Sequence, residues 1–484
     1  MTGSSLDTTL ADSVSSTGSS SAGSPKPSAT ASSGFPALNL DAFKTRVDVI
    51  NIDGVGRTRN DILDPLVRPL FEANTFEEVV LRAHTVRRRL EELGAFKAIN
   101  VFIDTSSGDN ATRDGLEVTY SVVETRRVVG GVNTSIGNNN DGSVVLQLKC
   151  PNLFGRGELF QTEYEYGTKH TTGFQTSFAK PLVPWLWPQP RLTSTLFQSG
   201  FDAPWSGFRE TDRGLHVDLS FKSRPSIAHS VRWEAVWRDI SALTPSTAFA
   251  VREECGHSLK SSLKHILTWD QRDNPIVPSK GTLFRLQQEC AGLLAGNVGF
   301  HKHELELQLN RPVPLLSDVV IQASLRAGIM KPLQKIDTVT CINDRFFIGG
   351  PLTLRGFNLH GVGPHSEGNA LGATTYWNAG LHVYTPLPFR PGAGGFGDYF
   401  RAHLFANAGN IGDFAYTDDH YKNFNILLNR LRYSVGAGIV LSIGHMARFE
   451  LNYCLPFGQQ SGDQTSPGLQ FGLGVSFVYL KMQI

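Results

Sequence analysis

Arg355 is the side chain of this sequence whose type and setting point most clearly to a specific contact. It lies in the run Leu354-Arg355-Gly356-Phe357, inside a segment of residues 332–369 that has neither helical nor strand periodicity. A guanidinium stays charged in proteins and can donate two parallel hydrogen bonds to one carboxylate. Arginines in loops are usually solvated, but so long a connection in an ordered protein is usually functional, and nearby glycines allow tight turns. We therefore predict that Arg355 binds an acceptor inside the molecule.

Motifs for bond-breaking chemistry are missing from the sequence. It contains no Gly-x-Ser-x-Gly, no phosphate-binding loop and no zinc-protease helix motif. His301 and His303 would point to the same side of a strand, but no third ligand lies near them in sequence. We expect neither an enzyme nor a metal site, and no cofactor.

Composition narrows the classes of partner and of fold. Lys plus Arg number 45 and Asp plus Glu 44, so the net charge is +1 and there is no basic surface of the kind that binds nucleic acid. Forty-eight glycines, with 30 Phe and 11 Tyr against 4 Met, are typical of β-rich proteins with many turns. There is no apolar run of about 18 residues, so no transmembrane helix is predicted, whereas a membrane β-strand needs only about ten alternating residues. The five cysteines are odd in number and widely spaced, which favours free thiols.

The N-terminal quarter of the sequence contains two regions of different composition. Residues 1–34 are a low-complexity Ser/Thr/Ala/Gly segment that we predict to be disordered. Its first basic residue is Lys26, and it has neither a secretory signal nor an arginine-rich presequence, which argues against export across a bacterial inner membrane. Residues 43–125 then predict a compact α/β domain in the order strand, helix, helix, strand, strand. Its second helix opens with the capping box Thr75-Phe76-Glu77-Glu78 and stops at Gly94.

From residue 127 to residue 484 the apolar residues recur with period two. Polar partners such as Glu, Gln and Arg alternate with them, as in Phe449-Glu450-Leu451-Asn452-Tyr453. There are too many apolar rows, and no helices to cover them, for a soluble sandwich. A closed transmembrane barrel with an apolar outside and a wet lumen accounts for both rows, because closure leaves no unpaired edge in lipid. We predict about sixteen antiparallel strands, near residues 127–137, 142–150, 158–167, 173–180, 191–200, 215–222, 229–240, 257–268, 282–292, 300–311, 319–329, 370–385, 401–410, 432–442, 447–456 and 468–480.

Several patterns in this framework resemble one family. The pattern Phe-x-Gly-Gly-x-x-x-Leu-Arg-Gly-Phe, starting at Phe347, resembles the sixth-loop signature of the POTRA-plus-barrel outer-membrane assembly superfamily, whose loop folds back into the barrel lumen. The turns at residues 151–158 and 269–281 resemble its early and middle hairpins, and the α/β domain is similar to a single POTRA module. The fold implied is mainly β: a transmembrane barrel of about sixteen strands, with a long lumen loop at 332–369, preceded by one small POTRA domain.

The resemblance also implies roles for single residues. In bacterial members the loop arginine is expected to pair with acidic residues on neighbouring strands, but this chain has His382 and Asn407 at the matching positions. Those two residues are the possible loop partners, and other lumen carboxylates or carbonyl groups stay open as acceptors. The last strand carries Gln470-x-Gly472-x-x-Val475-x-Phe477, which resembles the mitochondrial β-signal.

A single POTRA-like module together with the β-signal resembles the mitochondrial branch of the superfamily. The activity implied is the insertion of β-barrel precursor proteins into the mitochondrial outer membrane, with the POTRA domain and both termini in the intermembrane space. The partners implied are the precursors, accessory subunits on the cytosolic face and membrane lipids, with no nucleic acid.

We further predict a lateral gate between the first and last strands, because glycines weaken both sides of that seam. Its residues would be Val129, Gly130, Gly131, Gln470, Gly472, Gly474, Val475 and Phe477. The alternative is a translocating or secretion barrel of the same superfamily, which passes its substrate through the lumen.

Overall fold

The computed structural model describes twelve stretches of the chain. They are residues 44–107, 111–136, 142–168, 171–182, 190–292, 295–314, 316–333, 340–387, 396–414, 427–429, 431–443 and 447–475. The predicted disordered segment 1–34 and the predicted gate residue Phe477 lie outside these stretches.

The described part of the chain is dominated by strands. The strands are β1 (Arg46–Asp53), β2 (Phe96–Thr105), β3 (Gly115–Glu124), β4 (Val129–Ile136), β5 (Gly142–Pro151), β6 (Leu159–Gly167), β7 (Thr172–Pro181), β8 (Arg191–Ala203), β9 (Phe208–Arg224), β10 (Ile227–Ala242), β11 (Gly256–Asp270), β12 (Gly281–Ala291), β13 (Phe300–Val313), β14 (Leu316–Pro332), β15 (His365–Ser366), β16 (Asn369–Ala370), β17 (Thr375–Pro386), β18 (Phe400–Gly412), β19 (Arg432–Ile443), β20 (Ala447–Phe457) and β21 (Gly468–Val475). The α-helices are α1 (Asn60–Val67), α2 (Phe76–Glu92) and α3 (Phe249–Glu253), and short 3-10 turns occur at Arg68–Glu72, Ile342–Asp344 and Phe396–Tyr399.

No helix within these stretches combines the length and the apolar character that a bilayer-spanning helix needs.

The N-terminal elements form a small α/β unit in the predicted order. Its sheet has the order β1-β3-β2, with β1 parallel and β2 antiparallel to β3. Helix α2 begins where the capping box predicts, since the Thr75 hydroxyl accepts a hydrogen bond from the Glu78 amide at 3.3 Å. It ends at Glu92 with Leu93 as its C-cap, and the chain turns away at Gly94, whose φ of +69° is a conformation that glycine adopts at little cost. The apolar face of α2 is buried against the sheet and comprises Val79, Ala83, Val86, Leu90 and Leu93.

The end of β3 joins this unit to the turn between β5 and β6. The Glu124 carboxylate accepts hydrogen bonds from the Thr58 amide at 2.9 Å and the Thr58 hydroxyl at 2.8 Å. Burial alone would raise the pKa of Glu124, but these bonds, with further amide donors, outweigh it and lower that pKa to about 2. The Asn152 side chain donates to the same hydroxyl at 2.8 Å, and the Arg59 amide donates to the Gly155 carbonyl at 2.8 Å. The first barrel hairpins and the α/β unit therefore share one hydrogen-bond network.

The remaining strands form one antiparallel sheet of sixteen strands. Its order follows the chain from β4 to β21, with the small hairpin β15–β16 set apart from it. Each of the sixteen predicted segments overlaps one strand of this sheet. The predicted fold class is thereby confirmed.

On this sheet the apolar side chains are exposed and the polar side chains are buried, which is the reverse of the pattern in a soluble protein. On β20, Leu451 and Tyr453 are 50% and 54% exposed, whereas Glu450 and Asn452 are each 1% exposed. The same alternation places Leu404 outside and His403 inside on β18. An apolar outer face and a buried polar inner face are what a barrel in lipid requires.

The starts of two strands differ from the prediction by five residues or more. Strand β9 begins at Phe208 rather than at residue 215, because residues 209–213 are all charged or polar and carry no apolar signal. The strand predicted from residue 370 begins at Thr375 instead. Ala370 belongs to the loop hairpin, where it pairs with His365 and its amide donates to the Trp205 carbonyl.

Candidate functional site

The lumen loop connects β14 to β17, and its described residues 340–374 lie against the inner face of the sheet. Its His360 ring stacks on Trp205, in the β8–β9 turn, with ring centroids 4.5 Å apart. Burial lowers the pKa of His360 to about 4. On the other side of the loop, a Cβ built at Gly472 of β21 would lie 3.0 Å from Pro351. Because β8 and β21 are far apart in the strand order, the sheet must curl around the loop for one segment to touch both.

The loop holds its shape through its own backbone contacts and apolar side chains. Ile348 and Val362 form a bridge, and both are buried together with Leu354 and Phe357. Gly349 has a φ of +112°, and a Cβ there would lie 2.6 Å from the Asn358 carbonyl oxygen. A side chain at this position is excluded on both counts. The predicted motif is therefore part of a folded unit rather than a slack connection.

Arg355 binds a carboxylate inside the barrel. Its Nη2 lies 2.8 Å and its Nε 3.3 Å from Oε2 of Glu450 on β20. The arginine side chain is 5% exposed and that of Glu450 is fully buried. Nη1 reaches Oδ1 of Asn407 at 3.4 Å, and the guanidinium carbon lies 5.1 Å from the centre of the Phe405 ring.

Glu450 is shared by a second arginine. Nη2 of Arg448 lies 2.5 Å from its Oε1 and 2.6 Å from the Tyr384 hydroxyl. The Asn452 amide donates to Oε2 of Glu450 at 2.8 Å. One buried anion therefore faces two buried cations, an arrangement in which loss of the anion would leave both arginines without compensation.

The two predicted partners of Arg355 have different positions. Asn407 is the one that reaches the guanidinium. His382 forms a hydrogen bond with His403 instead, with Nδ1 and Nε2 3.0 Å apart, and Nδ1 of His403 lies 2.9 Å from Oδ1 of Asn452. These hydrogen bonds link the two histidines to Glu450 through Asn452.

Glu450 itself was not singled out from the sequence. A usable signal was present, because the alternation of residues 449–453 puts Glu450 and Asn452 on the inner face. Strand periodicity names the face of a residue but not the loop residue it will meet.

The loop also forms hydrogen bonds with the last strand. Gln470 of β21 accepts a hydrogen bond from the Gly356 amide at 3.0 Å and donates one to the Phe357 carbonyl at 2.9 Å. Just before β21, the Ser466 amide donates to the Gly356 carbonyl at 2.8 Å. Two residues of the Leu-Arg-Gly-Phe motif are thus held by the polar residue of the β-signal pattern.

The predicted seam residues lie at the two ends of the sheet order. Val129, Gly130 and Gly131 are in β4, and Gln470, Gly472, Gly474 and Val475 are in β21. Among the described residues, β4 pairs with β5 and β21 with β20, and no pairing joins β4 to β21. A Cβ built at Gly130 or Gly131 would have no neighbour within 4 Å. Because consecutive residues of a strand point to opposite faces, neither face of β4 has a packed side chain at these two positions.

A cavity of about 1000 Å³ adjoins the loop in the lumen. Three charged residues of β12, β13 and β14, Arg285, Glu306 and Arg326, line its wall. Arg326 binds Glu306 at 2.5 Å. Pro351 and Leu359 of the loop close another side of the cavity.

Comparison with known proteins gives the family. The Omp85 superfamily domain matches residues 152–477. The Sorting and assembly machinery component 50 homologue of Bos taurus is 46% identical over 437 residues, covering 89% of this chain and 90% of that protein. The Homo sapiens homologue is 45% identical over 432 residues, with the same two coverages.

A solved structure shows the same fold. BamA from Haemophilus ducreyi lacking POTRA domains 1–3 superposes with a TM-score of 0.70, covering 89% of this chain and 84% of that one, at 15% identity. The described barrel, its inward loop and these similarities agree, and the chain belongs to the Omp85 superfamily and, within it, to the Sorting and assembly machinery component 50 family.

Proposed function

We propose that this chain folds β-barrel precursor proteins and inserts them into the mitochondrial outer membrane through a lateral gate between β4 and β21. Its relatives are named as components of a sorting and assembly machinery, which supports a role in barrel assembly. The precursors, membrane lipids and cytosolic-face accessory subunits of the sorting and assembly machinery are its proposed partners.

The proposed architecture follows from the position of the seam. Residues 127–484 form the barrel, and residues 43–125 form a POTRA domain at the end where β4 begins. We place that domain and both termini in the intermembrane space, where precursors would first meet the chain. The network around Glu124 and Asn152 supports a fixed orientation of the POTRA domain beside the first strands.

The observation that carries the proposal is the contrast between the two sides of β21. One side pairs with β20 along eight residues, from Cys454–Gly468 to Ala447–Val475. The other side has no partner among the described residues, and across the seam Gly130 and Gly131 offer no side chain to pack. A strand edge with free amides and carbonyls is a template for an added strand. A precursor strand would pair there, and successive hairpins would extend from it into lipid.

The loop supports this mechanism from inside. In the closed barrel its contacts with Gln470 and Glu450 hold β21 and β20 from the lumen, and these few polar contacts are the ones that break when the seam opens. No covalent bond is made or broken in this process.

The test is to lock the seam. Val129→Cys and Val475→Cys, introduced after replacement of the five native cysteines, would be joined by a bifunctional maleimide. We expect the locked protein to remain a folded barrel, judged by its migration in the cold on denaturing gels, and to lose insertion of a radiolabelled precursor into proteoliposomes.

A matched control joins two residues within the first hairpin. Val132 and Leu146 are register partners on β4 and β5, and both are exposed on the outer face. A cross-link between cysteines at these positions should leave insertion unchanged. Normal insertion by the protein locked between positions 129 and 475 would refute the gate.

The lumen cavity favours one competing function, a conduit through which substrate passes. Photo-cross-linking separates the two. A probe at Val129 should capture precursor strands if the chain is an insertase, whereas a probe at Glu306, on the cavity wall, should capture substrate if it is a conduit.

A further inference from the structure

The N-terminal part of the lumen loop is held by a second charged cluster, on the wall away from the seam. Asp344, at the end of a 3-10 turn, is 4% exposed. Its Oδ2 accepts a hydrogen bond from Nη1 of Arg238 on β10 at 2.8 Å, and its Oδ1 lies 3.6 Å from Nζ of Lys260 on β11. Nζ of Lys302, on β13, donates to the Asp344 carbonyl at 2.8 Å. Three strands therefore each supply one cation to a single loop residue.

Neighbouring groups hold the cluster in place. Lys260 is also bound by Glu234 at 2.9 Å and by Glu289. Burial alone would raise the pKa of Asp344, but Arg238 and then Lys260 lower it below its ordinary value, so the group is an anion at neutral pH. The nearest other carboxylate to Arg238 is that of Glu210, at 4.0 Å. Asp344 is thus the main counter-charge of a buried arginine.

Apolar packing joins the loop to the same wall. The buried cluster around Ile342, Phe346 and Leu354 includes Phe208 of β9, Ile240 of β10, Phe300 of β13 and Met330 of β14. Lys302 lies 4.3 Å above the Phe346 ring. Within the described residues, this cluster contains no side chain of β19, β20 or β21. Among the described residues, the loop forms hydrogen bonds and ion pairs with those strands only through Arg355, Gly356 and Phe357.

We propose that Asp344 is a positioning residue that fixes the lumen loop to the β9–β13 wall and thereby presents Arg355 to Glu450 from the opposite side of the barrel. When the proposed gate opens, β20 and β21 move while the loop stays in place. The polar contacts of the loop with these two strands then break, and its apolar contacts with the β9–β13 wall remain. Only this last consequence rests on the proposed function.

Hydrogen–deuterium exchange on the full-length protein in detergent tests the assignment without any insertion assay. In Asp344→Asn we expect amide exchange in residues 354–358 and 464–466, which are remote from the substitution, to rise by about tenfold, because the loop loses its fixed end. Strands β9 and β10 should stay within about twofold of the parent protein. Asp344→Glu, which keeps the charge, should restore much of the protection.

The loop itself provides a matched control. Glu367 is an exposed carboxylate in the β15–β16 hairpin, and Glu367→Gln makes the same kind of change away from both anchors. It should leave exchange at residues 354–358 unchanged. If Asp344→Asn does not fold, Lys302→Gln weakens the contact to the Asp344 carbonyl and should produce the same pattern in a milder form.

Two results would overturn the assignment. One is faster exchange confined to residues 341–346, with residues 354–358 and 464–466 as in the parent, because Asp344 would then support only its own turn. The other concerns Arg355→Lys, in which we expect faster amide exchange at residues 464–466 and unchanged exchange at residues 341–346. Faster exchange at both places would overturn the assignment, because the loop would then have no fixed end. A failed seam lock, by contrast, would refute the gate and leave these exchange results standing.

Discussion

The barrel has two unlike regions, the long-stranded wall of β9 to β14 and the seam formed by β4, β20 and β21. The strands of that wall are 11 to 17 residues long. The long wall carries the charged cluster at Asp344 and the apolar contacts of the loop. The seam carries glycines and a few polar contacts.

Under the proposed lateral gate, this difference lets one sheet serve as both a scaffold and a moving part. Apolar burial adds up over area and does not switch in one step, whereas a buried ion pair or an amide contact is a discrete interaction that a competing group can replace. A barrel that opens at the proposed gate is served by apolar burial together with a charged cluster at the back, and by a few polar contacts at the front. The following substitutions test that division at the front, in order of expected effect.

Glu450→Gln should have the largest effect. It removes the anion that Arg355 and Arg448 share, and breaking a buried ion pair by removing one partner costs about 3–5 kcal/mol. We expect a loss of this size in the free energy of unfolding, measured by denaturant titration in detergent.

Glu306→Gln is the matched control for that loss. Its partner Arg326 is 42% exposed in its side chain, and such an ion pair contributes about 0–1 kcal/mol. Equal losses for the two variants would mean that the Arg355–Glu450 pair is no more important than an ordinary lumen pair.

Gln470→Leu should have an intermediate effect. It leaves the Gly356 amide and the Phe357 carbonyl without their side-chain partner, and an unsatisfied buried polar group costs about 1–3 kcal/mol. We expect faster exchange of the Gly356 amide and a matching fall in unfolding free energy. Gln464→Leu, whose side-chain contacts are exposed, should change neither measurement, and an equal effect of both variants would contradict a specific role for Gln470.

The two seam glycines of β21 should respond in opposite directions. A Cβ at Gly472 would lie 3.0 Å from Pro351 of the loop, so Gly472→Ala should cost about 1 kcal/mol through overpacking. A Cβ at Gly474 would meet Arg448 at an ordinary 3.8 Å, so Gly474→Ala should stabilise by about 0.5 kcal/mol by restricting the unfolded chain. Unfolding titrations of both variants give the signs, and a larger loss for Gly474→Ala would show that the loop is not packed against β21.

The sequence was most informative where the physical rule is local. Side chains alternate across a strand with period two, so Leu451 and Glu450 can be assigned to opposite faces without any knowledge of the fold. The capping box at Thr75 is likewise complete within four residues. The start of β9 was misplaced because its charged residues pair across strands, as Arg209 does with Asp202, and leave no apolar pattern to read.

The sequence was less informative where contacts cross the lumen. Asn407 and His382 were both reasonable partners of Arg355 by analogy, yet the principal acceptor is Glu450, 95 residues further along the chain. Asp344 attracted no attention because a lone aspartate in a loop has no local signature. Its role depends on cations from three strands that meet only after the sheet has formed.

The sequence by itself therefore determined the number of strands, the face on which each of their residues lies and the presence of a glycine-shaped loop, because each of these is decided by neighbours along the chain. The tertiary structure alone decided which carboxylate receives Arg355, which wall holds the loop and which polar residue of β21 it grips. Those choices depend on how far the sheet curls before its ends approach, and that curvature is a property of sixteen paired strands together.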